Sequence, residues 1–194
     1  MARRRAAAGL VAAGIALTAA GCGLGGGTKT ATVTQTTTLT RTLTVTTTAS
    51  VSTAKPCAGT GLEGVFTLIP GSSGAGQIGY TLTVKNTSQV PCSLHGVPRG
   101  TLVGASGAAL PTHVKSAGGV GRQIVLPPGA SATAQARFSP DVAGTGDSQS
   151  GACQPVARTF QLSAGGNVAE AEIQPPTSVC EQGTLNFEPF AYAR

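Results

Sequence analysis

A chain of 194 residues has room for one ordinary domain with appendages. Charged residues make up only 10% and aromatics 4%, Trp is absent, and 28 Gly with 12 Pro favour short strands and tight turns over long helices. The formal charge of +6 belongs to the N-terminal part: from Cys57 onward seven basic residues face seven acidic ones, which removes the electrostatic footprint a nucleic-acid partner requires.

The first residues, "MARRRAAAGLVAAGIALTAAGCG", have the three parts of an export signal. Arg3 to Arg5 form a basic stretch, Ala6 to Leu17 an apolar one, and small residues lead into Cys22. The apolar run is too short for a permanent membrane span, which needs roughly 20 residues. "AAGC" resembles a bacterial lipobox, with Ala19 standing where the usual pattern has Leu. That resemblance implies a lipoprotein signal peptide over residues 1–21 and diacylglycerol on the thiol of Cys22. The competing reading is secretion with cleavage at a neighbouring Ala.

Residues 22–56 then form a lipid-anchored, Thr-rich stalk, and Thr28 to Thr48 alone holds thirteen Thr in 21 residues. With no aromatic and only scattered aliphatics, this tract cannot bury enough apolar surface to offset its ordering entropy, so a disordered, solvated tether is expected. β-branched Thr stiffens it toward extended backbone, and about 33 such residues reach on the order of 100 Å. Ser/Thr-rich stretches also serve as O-glycosylated stalks. The alternative is an extra edge strand on the domain, with Val33, Leu39, Leu43 and Val45 facing inward.

Residues 57–194 read as the folded domain. "GVFTLI" (64–69) is a first strand, and "IGYTLTVKN" (78–86) places Ile78, Tyr80, Leu82 and Val84 on one face. "TLVG" and "PTHVK" flank "GASGA" as a hairpin, and "RQIVL" stops at "PPG", where Pro128 and Gly129 suit a type II turn. "ASATAQARF" (130–138) aligns Ala132, Ala134, Ala136 and Phe138. "ARTFQLSA" and "VAEAEIQ" flank "GGN", a second hairpin, and "TLNFEPF" closes the chain with Leu185 and Phe187 inward. No window carries a helical period. Seven to nine short alternating strands predict an all-β, antiparallel, immunoglobulin-like β-sandwich. Setting Cys22 aside leaves Cys57, Cys92, Cys153 and Cys180, an even number that in an exported chain reads as two disulfides. Of three possible pairings, Cys57–Cys92 with Cys153–Cys180 is favoured, each closing a loop worth roughly 3–4 kcal/mol in the chain-entropy model.

"NTSQVPCSLHGVP" (86–98), followed by "VLPPGASA" (125–132) and then Cys153 and Cys180, resembles an actinobacterial envelope domain known as domain of unknown function 4232, over about residues 57–190. Cys92, Leu94, Gly96 and Pro98 carry the likeness; Val97 stands where members often have an aromatic. The resemblance implies a signal-bearing, often lipidated, disulfide-linked β-domain, and no activity.

The residues themselves point away from chemistry. Two histidines, His95 and His113, are too few for a copper or zinc centre on a β-fold, and no C-x-x-C pair exists. A Ser–His–Asp hydrolase with Asp141 or Asp147 lacks the G-x-S-x-G elbow, and "GTGDSQSG" reads as a flexible loop. Glu170 and Glu172 alternate on the outward face of a hairpin, and Asn86-Thr87-Ser88, formally a glycosylation sequon, reads as a turn. No catalytic residue, metal or cofactor is expected. The functional expectation is a non-enzymatic envelope lipoprotein, held to the membrane through its lipid and binding an envelope protein, polymer or small ligand. Its recognition surface is placed first on Ser139–Ala152 and second on the Cys92–Pro98 turn. An extracytoplasmic hydrolase and a protease-inhibitor-like module are the alternatives.

Overall fold

The computed structural model describes residues 31–37, 41–47 and 54–193. The proposed signal peptide and Cys22 lie outside them. The chain divides into two units, Met1–Val51 and Ser52–Arg194.

In the first unit, β1 (Ala31–Thr37) and β2 (Arg41–Thr47) pair antiparallel as a two-stranded sheet, Ala31 opposite Thr47 and Thr34 opposite Thr44. The expected tether spans residues 22–56, most of which lie outside the described residues. β-branched Thr favours extended backbone, and the next run of the same composition supplies the ladder partner. The two strands make up a two-stranded sheet.

The second unit is all-β. Its strands are β3 (Leu62–Leu68), β4 (Ile78–Asn86), β5 (Cys92–Leu94), β6 (Gly100–Gly104), β7 (His113–Ser116), β8 (Ile124–Leu126), β9 (Ser131–Phe138), β10 (Ala157–Ala164), β11 (Asn167–Thr177), β12 (Thr184–Phe187) and β13 (Ala191–Tyr192). One large sheet runs β6-β10-β11-β3-β4-β9-β12-β7, with β13 also on β9; β5 and β8 form a small second sheet. Two pairings, β11 with β3 and β12 with β7, are parallel. The large sheet curls until its edge strands meet the same short stretch of chain. Past β6 the backbone turns, Leu110 N–H donates to the Leu102 carbonyl at 2.8 Å, and Leu102 N–H donates to Thr112 Oγ1 at 2.8 Å. The next residues are β7, the opposite edge.

The antiparallel, immunoglobulin-like sandwich is therefore corrected to a nearly closed, barrel-like mixed sheet. Period-two alternation gives each strand an inner and an outer face in either architecture; the difference lies in which strands pair, and that depends on contacts remote in sequence. The core shows the curl directly. Phe66 on β3 stacks on Phe187 of β12 with centroids 5.7 Å apart, although β4 and β9 lie between their strands. Phe160 on β10 meets the same ring at 5.6 Å from the far side of the sheet. Tyr80 and Phe138 complete the cluster, and its five rings are at most 1% exposed. Ala132, Ala134 and Ala136, all buried on β9, make the wall thin enough to admit them. Tyr80 places its hydroxyl where it donates to the Pro175 carbonyl at 2.8 Å, and burial pushes its phenol pKa up.

The turns follow their local chemistry. At "PPG", Ala130 N–H donates to the Pro127 carbonyl at 3.0 Å with Gly129 at φ +78°, a type II turn. At "GGN", Gly165 and Gly166 both have positive φ, as a two-residue hairpin turn requires. The "GASGA" turn forms, with Val103 bridging Ala109, but β7 leaves it to pair with β12 instead of β6. β5 and β13, three and two residues long, are too short to show a period.

Candidate functional site

At one end of the barrel the segment 86–99 is built from the inside out. Asn86, fully buried at the end of β4, donates both Nδ2 hydrogens, to the Val90 and Leu126 carbonyls, each at 2.9 Å. Its Oδ1 accepts from Ser88 N–H at 3.0 Å and from Ser88 Oγ at 2.7 Å. One side chain thereby ties the loop after β4 to the end of β8. The sequon is accounted for: the amide that would carry a glycan is buried and engaged, so Asn86 is a structural turn residue.

Beyond it, alternate residues divide the labour. Cys92 is bonded to Cys57 with Cα atoms 4.7 Å apart, Leu94 and Pro98 are buried, and Gly96 sits at φ +70°, where a Cβ is costly. These four build the segment. The residues between them, Ser93, His95, Val97 and Arg99, all border a cleft of about 400 Å³. Leu94, Val97, Leu162 and Phe190 give it apolar walls, while His95, Arg99, Gln123 and Ser163 are exposed around it. Among the described residues, no acidic one lines it.

The walls are cross-tied. Ser163 N–H donates to the Arg99 carbonyl at 2.7 Å and Phe190 N–H to the Gly96 carbonyl at 2.9 Å. Ser93 N–H donates to the Lys55 carbonyl at 2.8 Å, Cys57 N–H to the Ser93 carbonyl at 3.0 Å, and the Ser93 hydroxyl to the Ala54 carbonyl at 3.0 Å. With these bonds and the disulfide, the site is held in shape before any ligand arrives.

A second, more open cleft of about 490 Å³ lies among His113, Lys115, Gly144, Thr145, Glu181, Gln182 and Thr184. Its floor is a tight turn, Cys180–Gly183, in which Glu181 (φ 54°), Gln182 (φ 54°) and Gly183 (φ 76°) are all left-handed. Each non-glycine residue so placed costs about 1–2 kcal/mol. The compensation is Asp147, whose carboxylate accepts from Glu181 N–H, from Gln182 N–H at 2.8 Å, from Gly144 N–H at 2.8 Å and from Gln154 Nε2 at 2.7 Å. The Gln154 hydrogen bond foremost, then the backbone donors, hold the Asp147 carboxyl down to about 2, against the opposing effect of burial. The Cys153–Cys180 disulfide, Cα atoms 5.5 Å apart, locks the same corner.

Ser139–Ala152, the first expected recognition loop, folds inward at Asp147, and its Gly144 and Thr145 line the second cleft. Asp147 lies close to Cys153 and Cys180, within 4.8 Å, but the sulfurs are bonded to each other and the carboxylate is spent on N–H donors. His95 and His113 belong to different clefts, and Glu170 and Glu172 are exposed on β11. Sequence reasoning missed Asp147's anchoring role and the Arg99 side of the first cleft. The one signal for the latter was Cys92–Pro98, whose intervening residues were not read as a set.

Comparison with curated proteins and with solved structures gives no match. A family model described as domain of unknown function (DUF4232) matches residues 57–191, which takes in both disulfides, the second cleft and all of the first but Pro56. The chain belongs to that family.

Proposed function

We propose that this is a non-enzymatic, lipid-anchored protein of the cell envelope, in which a stalk displays the disulfide-braced β-domain as a binding module. The observation that carries the reading is the cross-tied cleft at the Cys57–Cys92 end: a pre-shaped site whose polar groups stand at its rim. The seryl oxygen nearest His95 in sequence, that of Ser93, donates to the Ala54 and Lys55 carbonyls, which supports recognition over nucleophilic chemistry. Two disulfides accord with an oxidising compartment, and the signal-like N-terminus with Cys22 gives the route there. The membrane, through the lipid, and an envelope ligand are the partners. Intact mass of the detergent-extracted mature chain tests the anchor: diacylglycerol on Cys22 is expected, and an unmodified chain beginning elsewhere overturns it. For the module, the full chain is compared with Val97→Trp, which fills the cleft, in capture from its own envelope. A ligand retained by the first and lost by the second is expected; substrate turnover abolished by His95→Ala instead restores the hydrolase alternative.

A further inference from the structure

The first cleft has a chemical bias narrower than "binding module". Its charged and chargeable lining residues, Arg99 and His95, are both basic, and among the described residues no carboxylate lines it to neutralise them. A guanidinium presents a planar fork of donors that matches a carboxylate bidentately. Next to that fork the walls are aliphatic: Leu94, Val97 and Leu162, with Phe190 only 7% exposed. A sugar ring is recognised on an open aromatic face, which this cleft does not offer; an aliphatic side chain fits it. Gln123 and Ser163, exposed on the rim, supply an amide and a hydroxyl, the partners a peptide unit needs.

The mode of docking is also constrained. β5 carries β8 on one edge and the Pro56–Ser93 bridge on the other, so an incoming chain finds no free ladder there. Strand addition along β5 is closed to it, which favours recognition of an end group.

We propose that the cleft binds the free C-terminal carboxylate of a short peptide ending in a small apolar residue, with Arg99 and His95 on the carboxylate and Leu94, Val97 and Leu162 around the last side chain. The proposal rests on the binding-module reading and names its ligand class. Cys92, Leu94, Gly96 and Pro98 are then the frame, and the residues at 95, 97 and 99 set selectivity. A volume of about 400 Å³ suits two or three residues, at the small end of ligand sites.

The test is ligand-observed NMR titration of the oxidised full chain in detergent with three probes: N-acetyl-Ala-Ala, the same dipeptide as its C-terminal amide, and glucuronic acid. The free dipeptide is expected to bind, with affinity falling about 10- to 100-fold for the amide and for Arg99→Gln, the loss of a charge-assisted hydrogen-bonded pair. Arg99 is exposed, and the far-UV CD of Arg99→Gln establishes that the variant is folded. Equal binding of acid and amide overturns carboxylate recognition. Arg99-dependent binding of glucuronic acid but not of the dipeptide overturns the peptide assignment. Silence of all three probes overturns the proposal while leaving the binding module itself to stand or fall on envelope capture by wild type against Val97→Trp.

Discussion

Replacing Asn86 by Ala isolates what one buried side chain does for the segment that builds the cleft. Four hydrogen bonds disappear: two to carbonyls, at Val90 and Leu126, and two from Ser88. They are not equivalent. The bond to Leu126 is buried, so its carbonyl loses a donor with no water to replace it, at a cost of about 1–3 kcal/mol. The Val90 carbonyl is only partly covered, and the Ser88 hydroxyl, released from Asn86 Oδ1, can give its one hydrogen to it across 3.0 Å; its share is nearer 0.5–1 kcal/mol. The Ser88 N–H can turn to solvent. Adding the space left by the amide, the total is about 3 kcal/mol, equivalent to a fall in Tm of about 10 °C for a domain of this size. Urea and thermal unfolding of the oxidised protein, followed by CD, measures it: the midpoint drops while the m-value stays. Ser88→Ala costs about 1 kcal/mol or less on the same reasoning. A loss below about 1 kcal/mol for Asn86→Ala, or equal losses for the two variants, refutes the assignment of Asn86 as the pin.

Three further outcomes follow from the packing and the clamp. Phe66→Ala removes the ring that contacts four others and costs about 3–5 kcal/mol; a fall in Tm of only a few degrees speaks against a single shared aromatic core. Asp147 has a folded pKa of about 2, below the ordinary carboxylate value of about 3.9. The unfolded chain therefore binds the extra proton, and the stabilisation is present above about pH 4 and lost as pH falls through about 2. Unfolding free energies of wild type and Asp147→Asn should differ at pH 5 and converge near pH 2; a gap that does not change with pH contradicts the clamp. Gly183→Ala meets the Pro111 carbonyl oxygen while also holding positive φ, so it should yield little folded, doubly oxidised protein on refolding, counted by free-thiol titration.

Much of the fold was legible where physics is local. Tyr80, Leu82 and Val84, and Ala132, Ala134, Ala136 and Phe138, fell on inner faces because alternation alone determines the face. Pro128-Gly129 and Gly165-Gly166 announced their turns through dihedral preference. What stayed hidden depends on remote partners. Nothing within β3 says that β11 will lie parallel to it, and nothing near His113 says that β12 will claim it from β6. The same limit governs the sites. Asp147 sits among Gly and Ser, the composition of a mobile loop, yet the N–H groups that fix it belong to Glu181 and Gln182, more than thirty residues on. Arg99 looked like any surface cation until Ser163 on β10 and Phe190 near the C-terminus closed a cleft around it.

The Cys57–Cys92 bond has a mechanical consequence. A pull delivered through the chain ahead of Lys55 arrives first where Lys55, Pro56 and Cys57 run alongside Ser93. Ladder bonds at that junction would yield in turn, and β3 would peel from the barrel behind them. The sulfur bridge instead carries the load directly from Cys57 to Cys92, so β3 cannot be drawn out while that bond stands. The loop that carries β3 and β4 is thereby bypassed, and the load passes through the sulfurs to β5 and its ladder with β8.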